Sequence, residues 1–161
     1  MARRTALSRG VQVEIFRRDG WLCQLCQRPV IFAPVMRLLD REVTTAGNGN
    51  RLAYYNERWT REGAPLLDQL GAVIDHVKAH AKGGASDLEN LATACCKCNQ
   101  QKSDTAREHY LARSKKHKVK GKYGEPQNWD GLSSLFVILA RRDLNALTAS
   151  EKDWLRALTQ F

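Results

Sequence analysis

Residues 71–102 read GAVIDHVKAHAKGGASDLENLATACCKCNQQK, and this stretch decides the fold. Ala72 to Ile74 is a short apolar run that predicts a strand entering Asp75-His76. Leu91 to Ala94 predicts a second short strand. The segment between them is loop-like and contains Gly83-Gly84. From about Cys95 to Ala112 the composition suits a helix. Strand, loop, strand, helix is therefore the local plan, and its charges balance: residues 72–112 hold 5 basic and 5 acidic side chains.

Two cysteines of this stretch, Cys95 and Cys98, form a C-x2-C pair, and a second pair, Cys23 and Cys26, lies far upstream. Each pair can present two thiolates from one tight turn, and two pairs make a tetrahedral four-cysteine zinc site. The gap between the pairs is much wider than in a compact zinc ribbon, so the metal is expected to staple distant parts of the chain. A redox pair, or unrelated buried cysteines, is the alternative. Cys96, the fifth cysteine, is out of register with both pairs and reads as a free, packed thiol.

Around this centre the chain divides into recognisable segments. Residues 8–19 predict a helix capped by Ser8, with Val11, Ile15 and Phe16 on one face and Asp19-Gly20 at its end. Residues 31–71 hold an apolar stretch from Ile31 to Leu39, a Gly47-Asn48-Gly49-Asn50 tip and the aromatic, basic patch Tyr54, Tyr55, Arg58, Trp59. Two more helices are predicted at 131–143 and 149–159. The first carries Leu132, Leu135, Phe136 and Leu139 at helical spacing. Their apolar faces either pack back on the core or form a partner or homodimer surface.

The 161 residues carry a net charge of +9 with a pI near 9.6, which favours a polyanionic partner, nucleic acid or an acidic membrane surface. Hydrophobic residues make up 43%, enough for a modest core. The N-terminal MARRTALSRGVQVEIFRR has no apolar run behind its basic residues, so no secretory leader is expected. The longest apolar run, Leu135 to Ala140, is far short of the ~20 residues of a membrane span. Residues 113–122, RSKKHKVKGK, hold 6 basic side chains and no acidic one. That run reads either as a solvated linker or as an arm that tracks phosphates.

Taken in order, Asp75-His76, Gly83-Gly84, Asp87-Leu-Glu-Asn90-Leu91 and Cys95-x2-Cys98-Asn99-x2-Lys102 resemble the HNH endonuclease family, in its zinc-stapled branch. Phe16-Arg17-Arg18-Asp19-Gly20-Trp21-x-Cys23 matches the helix and turn that lead into the first knuckle of such proteins. The resemblance spans roughly residues 10–105, with a large insertion at 31–71, and leaves 106–161 unexplained. It implies an α+β fold: a small ββα-metal core, a four-cysteine structural zinc site (Cys23, Cys26, Cys95, Cys98) and peripheral helices. The expected division is a nuclease domain over 1–112 and a basic arm with C-terminal helices over 113–161.

The chemistry that goes with this pattern is phosphodiester hydrolysis. It needs an activated water, a positive centre for charge developing on phosphorus, and a stabilised leaving oxygen. His76 is the expected general base. Asp75 and the side-chain oxygen of Asn99 are the expected ligands of a catalytic divalent ion, and such oxygen donors favour Mg2+ or Mn2+ over zinc. The resemblance implies that Asn90 pins the intervening loop through backbone hydrogen bonds rather than binding metal. The third motif position carries Asn99, and Ser103 stands four residues on, so the three-histidine set of toxin-type relatives is absent. Lys102, His80 and the arm residues Arg113, Lys115, Lys116, Lys118, Lys120 and Lys122 are the expected nucleic-acid contacts.

The reading is a metal-dependent endonuclease acting on DNA, taken as double-stranded, with no membrane partner, in the cytoplasm of a bacterial or phage-infected cell. The family serves phage DNA packaging, restriction and mobile-element homing. A non-catalytic zinc module that binds nucleic acid through residues 113–122 and the aromatic patch at 54–59 is the alternative. It would have no use for Asp75, His76 and Asn99 together.

Overall fold

The structure, a computed structural model, describes residues 6–47, 49–56, 64–77, 83, 87–102 and 128–160. In chain order these form α1 (Arg9–Arg18), α2 (Ala33–Ala46), the single turn α3 (Leu66–Gln69), β1 (Ala72–His76), a 3-10 turn (Leu88–Asn90), β2 (Leu91–Cys95), α4 (Cys96–Lys102), α5 (Ser133–Arg142), a second 3-10 turn (Leu144–Ala146) and α6 (Ala149–Thr159). Among the described residues, no helix is long and apolar enough to cross a membrane.

The two strands form an antiparallel hairpin in which Ala72 faces Cys95 and His76 faces Leu91. β2 is buried at every position and β1 chiefly at Asp75, so the hairpin is wrapped on the β2 side. That wrapping begins with α1. The Ser8 hydroxyl caps the helix by accepting the Val11 N–H, and Val13, Ile15 and Phe16 are buried. At its far end the chain turns through Gly20 and Trp21, both in the left-handed region. Asp19 there accepts the Thr93 N–H at 2.8 Å, which satisfies a donor on the outer edge of β2. The Arg18 guanidinium donates to the carbonyls of Leu88 (2.8 Å) and Leu91 (2.6 Å). The first knuckle then lies along the same edge, with the Gln24 N–H on the Thr93 carbonyl.

The apolar stretch after Ile31 becomes α2. Pro34 at its first turn suits a helix start, because a proline lacks the N–H that would have no partner there. Val35, Met36 and Leu38 turn into the core, and α2 packs on α5. α6 packs on both α1 and α5. Phe32 sits at the meeting point, with ring contacts to Trp21 (6.0 Å), Phe136 (5.1 Å) and Trp154 (5.1 Å). The C-terminal helices thus close the same core that holds the first knuckle; Phe136 and Ala140 are wholly buried in it.

Gly131 shows how close that closure is. Its φ is +67°, and a Cβ built there would lie 2.3 Å from Cε3 of Trp21. Its carbonyl meanwhile accepts the Phe32 N–H at 2.7 Å. Gly131→Ala combines left-handed strain with a clash against an immobile ring, and is expected to cost about 3 kcal/mol. A urea midpoint equal to that of the unmutated protein would contradict this packing.

Glu151 ties α6 to its neighbours. It completes a capping box with Thr148 and pairs through both carboxylate oxygens with the Arg41 guanidinium of α2. Burial opposes its charge, but the Arg41 guanidinium and the Thr148 N–H outweigh burial and hold the carboxyl below its ordinary range. Its contribution is therefore full above the unfolded-state value and is lost as pH falls through the lower folded one. Because Arg41 is partly exposed, Glu151→Gln is expected to cost only about 1–2 kcal/mol near neutral pH. The difference should vanish in strong acid; a pH-independent difference in melting temperature would refute the pairing.

Candidate functional site

The four cysteines that the sequence singled out converge. The sulfurs of Cys23, Cys26, Cys95 and Cys98 all lie within 4.8 Å of one another, all buried, with Cys26 and Cys95 at 4.0 Å. A tetrahedral site with Zn–S bonds near 2.3 Å needs sulfurs about 3.8 Å apart. The two knuckles also repeat one device. The Cys26 N–H donates to the Cys23 sulfur at 3.5 Å, and the Cys98 N–H to the Cys95 sulfur at 3.4 Å. Such donors favour thiolate. Hydrogen bonding from Cys26, and then from Cys95 and Cys98, pulls the Cys23 thiol far below its ordinary value. The reciprocal contacts, Cys23 foremost, push Cys95 and Cys98 up. The donor set and its spacing fit zinc.

Cys96 stands apart from the cluster, as its register implied. It is half-buried, its sulfur accepts from Gln100 Nε2 at 3.5 Å, and burial together with the nearby Asp68 charge pushes its thiol up.

At the opposite end of the hairpin lie Asp75 and His76. Alternation along β1 sends them to opposite faces, Asp75 buried and His76 half-buried, and the chain bends at Val77. Asn90 ends the 3-10 turn that returns to β2. Its carbonyl accepts the Val77 N–H at 2.8 Å, and its own N–H donates to the Asp87 side chain at 3.0 Å. The backbone of Asn90 thus closes the neck of the loop directly behind His76.

α4 packs against both strands. Asn99 and Lys102 are three residues apart on it, which places them on one side of the helix. Lys102 is only 1% exposed, and its ammonium donates to Asp75 Oδ1 at 2.9 Å and to the His76 carbonyl at 2.7 Å. The sequence reading placed Lys102 at a phosphate; the structure places it inside the site, beside both motif residues of β1. His80 and the arm residues Arg113, Lys115, Lys116, Lys118, Lys120 and Lys122 lie outside the described residues, as does the Arg58–Trp59 part of the aromatic patch.

Three positioning residues escaped the sequence reading. Asp19 and Arg18 were read as a helix end and the lead-in to the first knuckle, yet they fix the outer edge and the start of β2. Asp87 was one letter of a motif, yet it caps the turn that delivers Asn90. A charged pair directly after an apolar helix, and an aspartate three residues before Asn90, were the available signals.

No curated protein and no solved structure matches this chain. A family model, described as HNH endonuclease, matches residues 63–105, which include β1, the loop neck, β2, the second knuckle and Lys102. The ββα unit that holds Asp75, His76, Asn90 and Asn99 accordingly has the HNH ββα-metal fold.

Proposed function

We propose that this protein is a metal-dependent endonuclease that hydrolyses phosphodiester bonds in double-stranded DNA. The observation that carries the reading is the HNH match over the ββα unit, in which Asp75, His76 and Asn90 lie at one end of the hairpin. His76 takes the proton from the attacking water. Asp75 and Asn99 hold a divalent ion, Mg2+ or Mn2+, which when bound supplies Lewis acidity at the phosphate and stabilises the leaving oxygen. Asn90 fixes the loop neck so that the His76 backbone does not drift. Zinc on Cys23, Cys26, Cys95 and Cys98 is structural. The six basic side chains of residues 113–122 and His80 contact phosphates, so binding weakens steeply with salt.

The test is conversion of supercoiled plasmid by zinc-loaded protein with Mg2+ or Mn2+, giving 3′-hydroxyl and 5′-phosphate ends. Asp75→Ala and Asn99→Ala are each expected to lower the rate by roughly 100-fold or more while zinc content stays unchanged. A second reading, a zinc module that binds nucleic acid without cutting it, is favoured by one observation: Lys102 already neutralises Asp75. Binding without cleavage under every metal tried would establish that reading instead.

A further inference from the structure

We infer that Lys102 competes with the catalytic divalent ion for Asp75, so that the ion is held tightly only once a phosphodiester has entered the site. The inference rests on Asp75 and Asn99 being the ion's ligands. Lys102 is not a surface lysine that has wandered inward: it is 1% exposed, its counter-ion Asp75 is 5% exposed, and two hydrogen bonds fix its ammonium. The charge on Asp75 is therefore already compensated, by an ammonium rather than by water. Asn99, from the same side of α4, adds an oxygen donor but no charge.

A divalent ion that takes Asp75 in this state arrives beside a cation in a place with little water to screen the repulsion. Either the ammonium leaves Asp75 Oδ1 or the ion binds poorly. An incoming phosphodiester changes the balance, because it brings a negative charge to the same point. Ion and ammonium then have an anion each, and Lys102 can turn from Asp75 to the phosphate while keeping its place beside His76. By linkage, the phosphodiester that tightens the ion must itself be tightened by the ion. Lys102 acts here through Asp75, as a positioning residue that makes ion loading conditional on substrate. A merely structural lysine would have the opposite signature: its loss would disorder Asp75 and weaken the ion.

The experiment measures Mn2+ affinity by electron paramagnetic resonance on zinc-loaded His76→Ala protein, in which DNA stays uncut, with and without a short duplex. The duplex is expected to tighten Mn2+ by about 10-fold or more. Adding Lys102→Met, or Lys102→Gln, which keeps a donor for the His76 carbonyl without the charge, should tighten Mn2+ by about 10-fold in the absence of DNA and shrink the effect of the duplex to below about 3-fold. Equal or weaker Mn2+ binding by whichever variant keeps the circular dichroism of its parent overturns the inference. So does a parent protein whose Mn2+ affinity ignores the duplex, a result that needs no lysine variant. Coupling without cleavage by the wild-type protein would remove the nuclease reading alone; cleavage without coupling would remove the role given to Lys102 alone.

Discussion

Removing zinc is expected to unfold this protein. The four sulfurs join residues that are 69 positions apart, Cys26 and Cys95, at the middle of the core. Cys23, Cys95 and Cys98 are themselves part of the apolar cluster that holds Phe16, Trp21 and Phe32. Without the metal, four sulfurs would crowd together in the core with nothing to join them. Structural zinc contributes on the order of 10 kcal/mol of apparent binding free energy, comparable to the whole stability of an ordinary domain, about 5–15 kcal/mol. A zinc chelator should therefore abolish the cooperative thermal transition, and Cys23→Ser should yield protein that lacks both zinc and native circular dichroism. Cys96→Ser is the internal control. It should keep one zinc per chain and shift stability by less than about 1 kcal/mol, because Cys96 is half-buried and lies outside the sulfur cluster, with a bond from Gln100. A melting temperature unmoved by chelation would show that the sulfur cluster contributes nothing to the fold.

The hairpin, α4 and both knuckles were legible because their signals are local. Apolar runs end at Asp75 and at the second cysteine pair, the x2 spacing is set by a single turn, and the structure has β1 at Ala72–His76 and β2 at Leu91–Cys95. α1 and its Ser8 cap were legible for the same reason. The segment 31–71 was not. Ile31-Phe32 and Val35-Met36 read as an apolar stretch without an assignable partner, because the surfaces they meet, Phe136 and Trp154, come from helices about a hundred residues later in the chain. Helical spacing predicted α5, but periodicity says which face is apolar and not where it docks. The placement of the candidate site residues was legible to the level of the element that carries each. Asp75, His76 and Asn99 lie on the elements expected of them, while the placement of Lys102 depended on a side chain passing from α4 across to β1. Nothing in the spacing of Asn99 and Lys102 separates a lysine aimed at solvent from one aimed at Asp75.

His76→Ala is expected to abolish cleavage while sparing fold and binding. A general base typically contributes 10²- to 10⁴-fold to a rate. The substitution should leave the fold in place. Asp75, one residue earlier, stays paired with Lys102, and the second bond of that ammonium goes to the His76 backbone carbonyl, which alanine retains. Zinc content and melting temperature should therefore match the wild type, and the loss should appear in the rate constant rather than in DNA affinity. The same assignment fixes the pH dependence. A base must be unprotonated to accept the water's proton, so the wild-type rate should fall in acid, while the residual rate of His76→Ala should lack that limb. Equal cleavage by the two proteins would assign the proton transfer to another group or the activity to a contaminant. Loss of binding together with cleavage would instead give His76 a part in holding the DNA, because a base that acts only in the transition state adds nothing to ground-state affinity.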